Sequence, residues 1–313
     1  MRSPFLLWCT WMDAKVTVGR KQWLAFAALG VVWGTTWVAA DTLGEYVPPL
    51  RGAAARFLLA ALLWLPVVLW KRLKLPRGRA LGFVLLLSVT MIVVPSLLLL
   101  WAQSRVQSAT VAVSFSAMPL LILFLTPGLA GRSVPRTAMQ ASIVGWGAIA
   151  LALGESFSVA QAGGAAVALL AVASIGASSI VARRELSTLH PIVVTALVLG
   201  VAGLLLFLTS LALEHGQAVQ WNRSAIGAVA FMAVVAGAPA YATYFWLLQR
   251  LEAYQVGTVQ WIEPLVAILE SALFLRLGLS FSMIAGSLTA LLCLLLVLRA
   301  RAEDDNSVSL LGN

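Results

Sequence analysis

The sequence predicts an all-α integral membrane protein of ten transmembrane helices, built as two inverted five-helix repeats. Three observations predict it. Of the 313 residues, 61% are hydrophobic and only 11% charged, with a mean hydropathy of +0.95, a balance foreign to water-soluble domains. Apolar runs long enough to cross a hydrocarbon core of ~30 Å, at ~1.5 Å per helical residue, follow one another along the whole chain. Features of the first half also return in the second at a nearly constant offset.

Bounded by charges, proline or glycine, the runs are 23–40, 50–70, 80–102, 108–126, 138–153, 163–182, 192–213, 225–248, 254–275 and 281–298. The repeats are then 23–153 and 163–298, with residues 1–22 and 299–313 as tails. The opening apolar stretch, 1–12, is too short to span and meets no small-residue cleavage site before Arg20 and Lys21. It reads as a tail resting at the interface. The net charge of +9 and pI near 10.4 come from Lys and Arg in short loops, so they signal topology and not a nucleic-acid partner. Sixteen of the 21 basic residues fall on the side that holds both termini and four on the other. Positive charge stays inside, which predicts cytoplasmic termini.

In the first run, Gly30 and Gly34 form a pair suited to close helix packing. Trp33 and Trp37 share a face, with Thr36 beside them, and suit an aromatic belt or the mouth of a cavity. The second run carries Arg56, the one unambiguous cation inside a span. Its stem either snorkels to headgroups or its charge pairs with a membrane carboxylate or a substrate carboxylate. The third run contains Pro95 and ends in Trp101 and Arg105, residues that also suit interfacial anchoring. In the fourth, Pro119 frees the carbonyl of Phe115, which Ser114 and Ser116 flank; their hydroxyls bond either backbone or ligand. The eighth brings Tyr241, Thr243, Tyr244 and Trp246 just after Pro239. The fifth, sixth, seventh and tenth are recognised by apolar length.

The ninth run is the most unusual, because it sets two carboxylates and a proline in mid-membrane. Pro264 should kink the helix and free the carbonyl of Gln260. Glu263 and Glu270 lie seven residues apart, on one face shared with Gln260 and Ala267, next to Trp261. A carboxylate at that depth costs about 2.5–3.5 kcal/mol, so it belongs in a bundle interior, as a buried hydrogen bond or in a wet cavity.

An offset of 145 residues lays Trp101 on Trp246, Arg105 on Arg250 and Pro119 on Pro264; an offset of 142 lays the stretch 33–36 on 175–178 and Pro49 on Pro191. Five spans separate the copies. Five is odd, so the second half enters the membrane upside down. Binding sites in such architectures lie near the midplane, on spans broken by proline or glycine, which marks Pro95, Pro119, Pro239 and Pro264 as hinges. The two cysteines, Cys9 and Cys293, offer no disulfide framework or thiolate metal site, and His190 and His215 stand at loop edges. No spacing for a metal, nucleophile or phosphate cradle occurs.

The Trp33-Gly34 pair late in the first span, the basic loop after the second, the Pro119 and Pro264 helices and the five-plus-five repeat resemble the drug/metabolite transporter superfamily, EamA type, over 23–298. Within it, the chain is similar to bacterial inner-membrane amino-acid exporters, including those for aromatic amino acids. One departure matters. Members commonly end the fourth and ninth spans in Gly-Glu, whereas this chain has Gly131-Arg132 and Arg276-Leu277, so no role of those glutamates carries over.

The resemblance implies a secondary-active exporter of small metabolites working by alternating access, with no enzyme activity and no cofactor. Its partners are a small molecule, the lipid bilayer and, through Glu263 or Glu270, a proton. Candidate substrate contacts are Trp33, Thr36, Trp37, Trp101, Ser114, Ser116, Tyr241, Tyr244, Gln260, Trp261 and Glu263. A multidrug exporter is the nearest rival, and Arg56 in the same cavity would argue against it. A polyprenyl-lipid flippase or membrane enzyme is the other alternative; it needs a lateral groove or a polar catalytic cluster.

Overall fold

The computed structural model describes residues 19–153, 161–274 and 280–300. Most of both tails and the side chain of Glu270 lie outside these described residues. All regular structure among them is helical. The helices are α1 (Arg20–Gly34), α2 (Thr36–Gly44), α3 (Pro49–Trp70), α4 (Arg79–Leu87), a π-helical turn (Ser88–Val93), α5 (Val94–Gln103), α6 (Ser108–Ser116), α7 (Met118–Ala130) and α8 (Arg136–Ala152). The second half follows with α9 (Ala162–Glu185), α10 (Pro191–Leu213), α11 (Arg223–Val234), α12 (Ala238–Leu248), α13 (Ala253–Gly257), a 3₁₀ turn (Thr258–Trp261), α14 (Ile262–Phe274) and α15 (Phe281–Arg299).

Among the described residues, seven segments are long and apolar enough to cross a membrane, and α6 with α7, bent by 43°, makes an eighth. The remaining two runs read as spans form α8, only 17 residues long, and the interrupted stretch α13–α14.

Helix ends follow local chemistry. Pro49 and Pro191 open α3 and α10, where a missing N–H costs nothing. Asn222 and Ser280 cap α11 and α15 through their side chains. Gly131 closes α7 at φ 64°, a left-handed backbone that glycine adopts freely. Buried Glu214, after α10, accepts hydrogen bonds from the Leu50 and Arg51 amides at 2.7 and 3.0 Å, placing a carboxylate on the N-terminus of α3.

Four spans are interrupted beside a proline. The π turn precedes Pro95, a break at Ala117 precedes Pro119, a break at 235–237 precedes Pro239, and the 3₁₀ turn ends shortly before Pro264. Backbone polar groups exposed by such breaks have no water to turn to in hydrocarbon, so other groups must reach them. Tryptophans do. Trp33 and Trp64 donate their indole N–H groups to the carbonyls of Ala236 (3.2 Å) and Ala238 (2.6 Å) at one break. Trp146 and Trp261 donate to Val113 (3.1 Å) and Ser116 (2.7 Å) at the other. The π turn is served by Ser174, whose hydroxyl reaches the Thr90 carbonyl at 2.6 Å.

The two halves pack as one bundle. α3 lies along α10 and α8 along α15, the most extensive interfaces, and each joins the first half to the second. α1 meets α12 and α14, just as α9 meets α5 and α7. Exchanging the halves leaves this contact scheme unchanged. Small residues permit the approach: a Cβ on Gly286 would stand 2.4 Å from the Ala148 carbonyl oxygen. Gly30 and Gly34 receive Ile262 and Val266 in the same way, so this pair is used for packing.

Candidate functional site

A cavity of about 280 Å³ lies where the interrupted helices meet. From the α1–α2 break come Trp33, Thr36 and Trp37; α3 adds Arg56 and Phe57. The π turn and α5 contribute Met91, Pro95 and Gln103, and the α6–α7 break contributes Phe115 and Met118. Ile175 of α9, Tyr241 and Tyr244 of α12, and Gln260 and Glu263 beside the 3₁₀ turn complete the wall. The cavity extends toward the end of the bundle where α2 and α5 finish, since Ala40, Leu99 and Gln103 line it.

Its walls are aromatic. The Trp33 ring lies 5.4 Å from each of Tyr241 and Tyr244, Phe57 stands edge-on to Tyr241 at 6.1 Å, and Trp37 stands edge-on to Phe115 at 6.5 Å. Such tilted pairs are the favoured geometries of aromatic quadrupoles. The Tyr244 hydroxyl is held by Ser179 at 2.7 Å.

Two ionisable side chains stand in this apolar setting. The Arg56 guanidinium sits 4.4 Å from the centre of the Phe57 ring, and its Nε is buried without a partner. Glu263 is buried, with the Gln260 amide and Trp37 indole as polar neighbours. The Gln260 carbonyl oxygen Oε1 is buried and unpartnered. Tyr241 is close enough to interact electrostatically with both Arg56 and Glu263. Neither charge belongs to an ion pair among the described residues. Arg56 lines the cavity with its side chain partly buried.

Of the residues singled out from sequence, Trp33, Thr36, Trp37, Tyr241, Tyr244, Gln260, Glu263 and Pro95 come together here. Thr36 turns its hydroxyl to the Trp33 carbonyl at 2.6 Å. Others stand apart. Ser114 and Ser116 are buried and bond the carbonyls of Thr110 and Val113 within their own helix. Trp261 is wholly buried and holds the Ser116 carbonyl, its ring filling the space over Gly145. Trp101 is 42% exposed under the Arg105 guanidinium, 3.9 Å from its ring, and Trp246 and Arg250 repeat this at 4.2 Å. Pro119, Pro239 and Pro264 shape the breaks without lining the cavity. Sequence reasoning left out Phe57 and the whole second span as a wall, although the cation at Arg56 signalled it.

The end away from Gln103 carries a cluster of polar ties. Arg183, at the end of α9, donates to the carbonyls of Leu248 (3.1 Å) and Leu251 and to the Glu252 carboxylate at 2.5 Å. Arg132, after α7, adds a longer ion pair to Glu252 at 3.7 Å, and Arg184 donates to the Leu129 carbonyl. Three chain segments are thereby joined at one point.

Sequence comparison matches residues 20–154 and 162–299 to the EamA-like transporter family. The chain belongs to this family. It is 26% identical to the protein PagO of Salmonella typhimurium over 261 residues, covering 78% of this chain and 82% of that one. It is 26% identical over 282 residues to YvbV of Bacillus subtilis, named an uncharacterized transporter, with coverage of 88% and 90%. YedA of Escherichia coli, named an uncharacterized inner membrane transporter, is 24% identical over 263 residues, 78% of this chain and 80% of its own. A solved crystal structure superposes with a TM-score of 0.76 at 15% identity, covering 94% of this chain and 99% of that one, which shows the shared fold. The chain is thus a multi-pass membrane protein of a transporter family with two EamA segments.

Proposed function

We propose that this EamA-family protein is a secondary transporter that exports small amphipathic metabolites, aromatic amino acids foremost, across the bacterial inner membrane. The observation that carries the reading is the cavity itself: about 280 Å³, walled by aromatic rings, with a buried acid and a guanidinium whose Nε is buried. Drug-sized ligands occupy pockets of ~300–1,000 Å³, so this volume suits a molecule the size of one amino acid. Arg56 in the wall disfavours the multidrug alternative, because a cationic drug would meet a like charge there. The inner-membrane assignment rests on the similarity to YedA, named an inner membrane transporter, and on the apolar spans.

Alternating access would come from ten spans in two inverted repeats. The unchanged contact scheme on exchange of halves and the shared 145-residue offset support that relation. With the termini cytoplasmic, the cavity extends outward and the Arg183–Glu252 tie is the closed inner gate. Glu263, the acid of the cavity, is the candidate proton carrier. Efflux of labelled aromatic amino acids from cells expressing the protein tests the reading: export above the vector control supports it, and export equal to the control at confirmed membrane expression refutes it.

A further inference from the structure

The two charges of the cavity are held apart, and that separation carries information about what fills it. At the Arg56 pole the guanidinium offers only donors, one of them, Nε, buried with nothing to receive it. At the Glu263 pole the carboxylate and the unpartnered Gln260 Oε1 offer acceptors. Tyr241 stands in reach of both poles, and rings of Trp33, Phe57 and Tyr244 cover the space around it. Had Arg56 and Glu263 paired with each other, the empty site would be self-satisfied. They do not pair, so a ligand that brings a carboxylate to Arg56 and an ammonium group to Glu263 satisfies both groups at once.

We propose that Arg56 and Glu263 divide the recognition of a zwitterion, Arg56 receiving the carboxylate and Glu263 with Gln260 the ammonium group. The two residues then set specificity for ligands that carry both charges on a small apolar body. This rests on reading the cavity as the path of an amino acid. A molecule with the ammonium alone leaves Arg56 uncompensated, and one with the carboxylate alone leaves Glu263 so.

The test is ligand binding to the full chain in lipid nanodiscs, with L-phenylalanine, L-phenylalaninamide, which lacks the carboxylate, and 3-phenylpropionate, which lacks the ammonium. Wild type should bind L-phenylalanine at least ~10-fold more tightly than either analogue, the scale of one lost charged hydrogen bond. Arg56→Gln should erase the discrimination against the amide and keep that against phenylpropionate; Glu263→Gln should do the reverse. Arg56→Lys, which keeps the charge, should retain a preference for the carboxylate and guards against misfolding of the Gln variant. Equal binding of all three probes by wild type, or an unchanged amide discrimination in folded Arg56→Gln, overturns the division of roles and leaves the cavity as a path intact. Failure of folded wild type to bind any of the three overturns the amino-acid path and this proposal with it.

Discussion

Trp261 and Ser116 touch, the indole Nε1 donating to the Ser116 carbonyl at 2.7 Å, and they are 145 residues apart. That is the offset that lays Pro119 on Pro264. Equivalent positions of two repeats can meet only where the axis relating the repeats passes between them. The contact therefore marks the place where that axis would run, beside two of the proline-associated breaks.

Replacing Trp261 by Phe keeps the ring over Gly145 and removes the donor, leaving the Ser116 carbonyl unpaired in the bundle. The expected cost is about 1–2 kcal/mol of stability, seen as a melting temperature lower by a few degrees in detergent, with ligand affinity unchanged. A change in affinity without a change in melting would return Trp261 to the cavity wall.

Gly286→Ala should be among the most damaging small substitutions, because the new methyl group would meet the Ala148 carbonyl and push α15 from α8. Gly147→Ala, whose methyl group would find nothing within 4 Å, should be neutral or stabilising by up to ~1 kcal/mol through helix propensity. Yields of monodisperse protein from matched expression compare the two.

Much of this fold was legible in the sequence, and the reasons are physical. Hydrocarbon demands long apolar helices, so their positions follow from composition, and Pro95, Pro119 and Pro239 each stand beside an interruption, whereas Pro66 and Pro127 lie inside α3 and α7 without breaking them. The site was legible where residues are costly at depth: Glu263 and Gln260 belong to the cavity because a carboxylate cannot face lipid. It was illegible where one residue type serves two purposes. A tryptophan is apolar surface and one N–H donor, and only the packing of α8 and the 3₁₀ turn on the α6–α7 break turns Trp146 and Trp261 into backbone partners while Trp37 faces the cavity. Serine hydroxyls likewise satisfied their own helices at Ser114 and Ser116. Arg56 could snorkel or turn inward; the decision lay in the neighbours α3 meets.

The Arg183 tie yields a prediction of state, on the reading that it lies on the cytoplasmic side. Arg183→Gln removes the charge that gathers Leu248, Leu251 and Glu252. Cysteine placed at Val256, which lines the cavity, should then react faster with a membrane-impermeant maleimide from the cytoplasmic side, by about 5-fold or more for a shift of ~1 kcal/mol or above. Equal labelling rates with and without the substitution would show that the tie is not a gate.

Topology is open to the same chemistry. Cysteines introduced in the basic stretch 71–79 of otherwise cysteine-free protein should be protected from external reagent in intact cells, in keeping with cytoplasmic termini. Labelling of that stretch from outside would invert the assignment of inner and outer ends.

The central claim is that an amino acid crosses the membrane through the cavity that holds Glu263. Its most direct test is counterflow of labelled L-phenylalanine into proteoliposomes loaded with the unlabelled compound, at matched reconstitution. Wild type should accumulate label, Glu263→Gln should retain less than about a tenth of that rate, and Glu270→Gln, ~10 Å farther along the helix, should retain most of it. Wild-type counterflow in the Glu263→Gln vesicles, or none in the wild-type vesicles themselves, would contradict the claim.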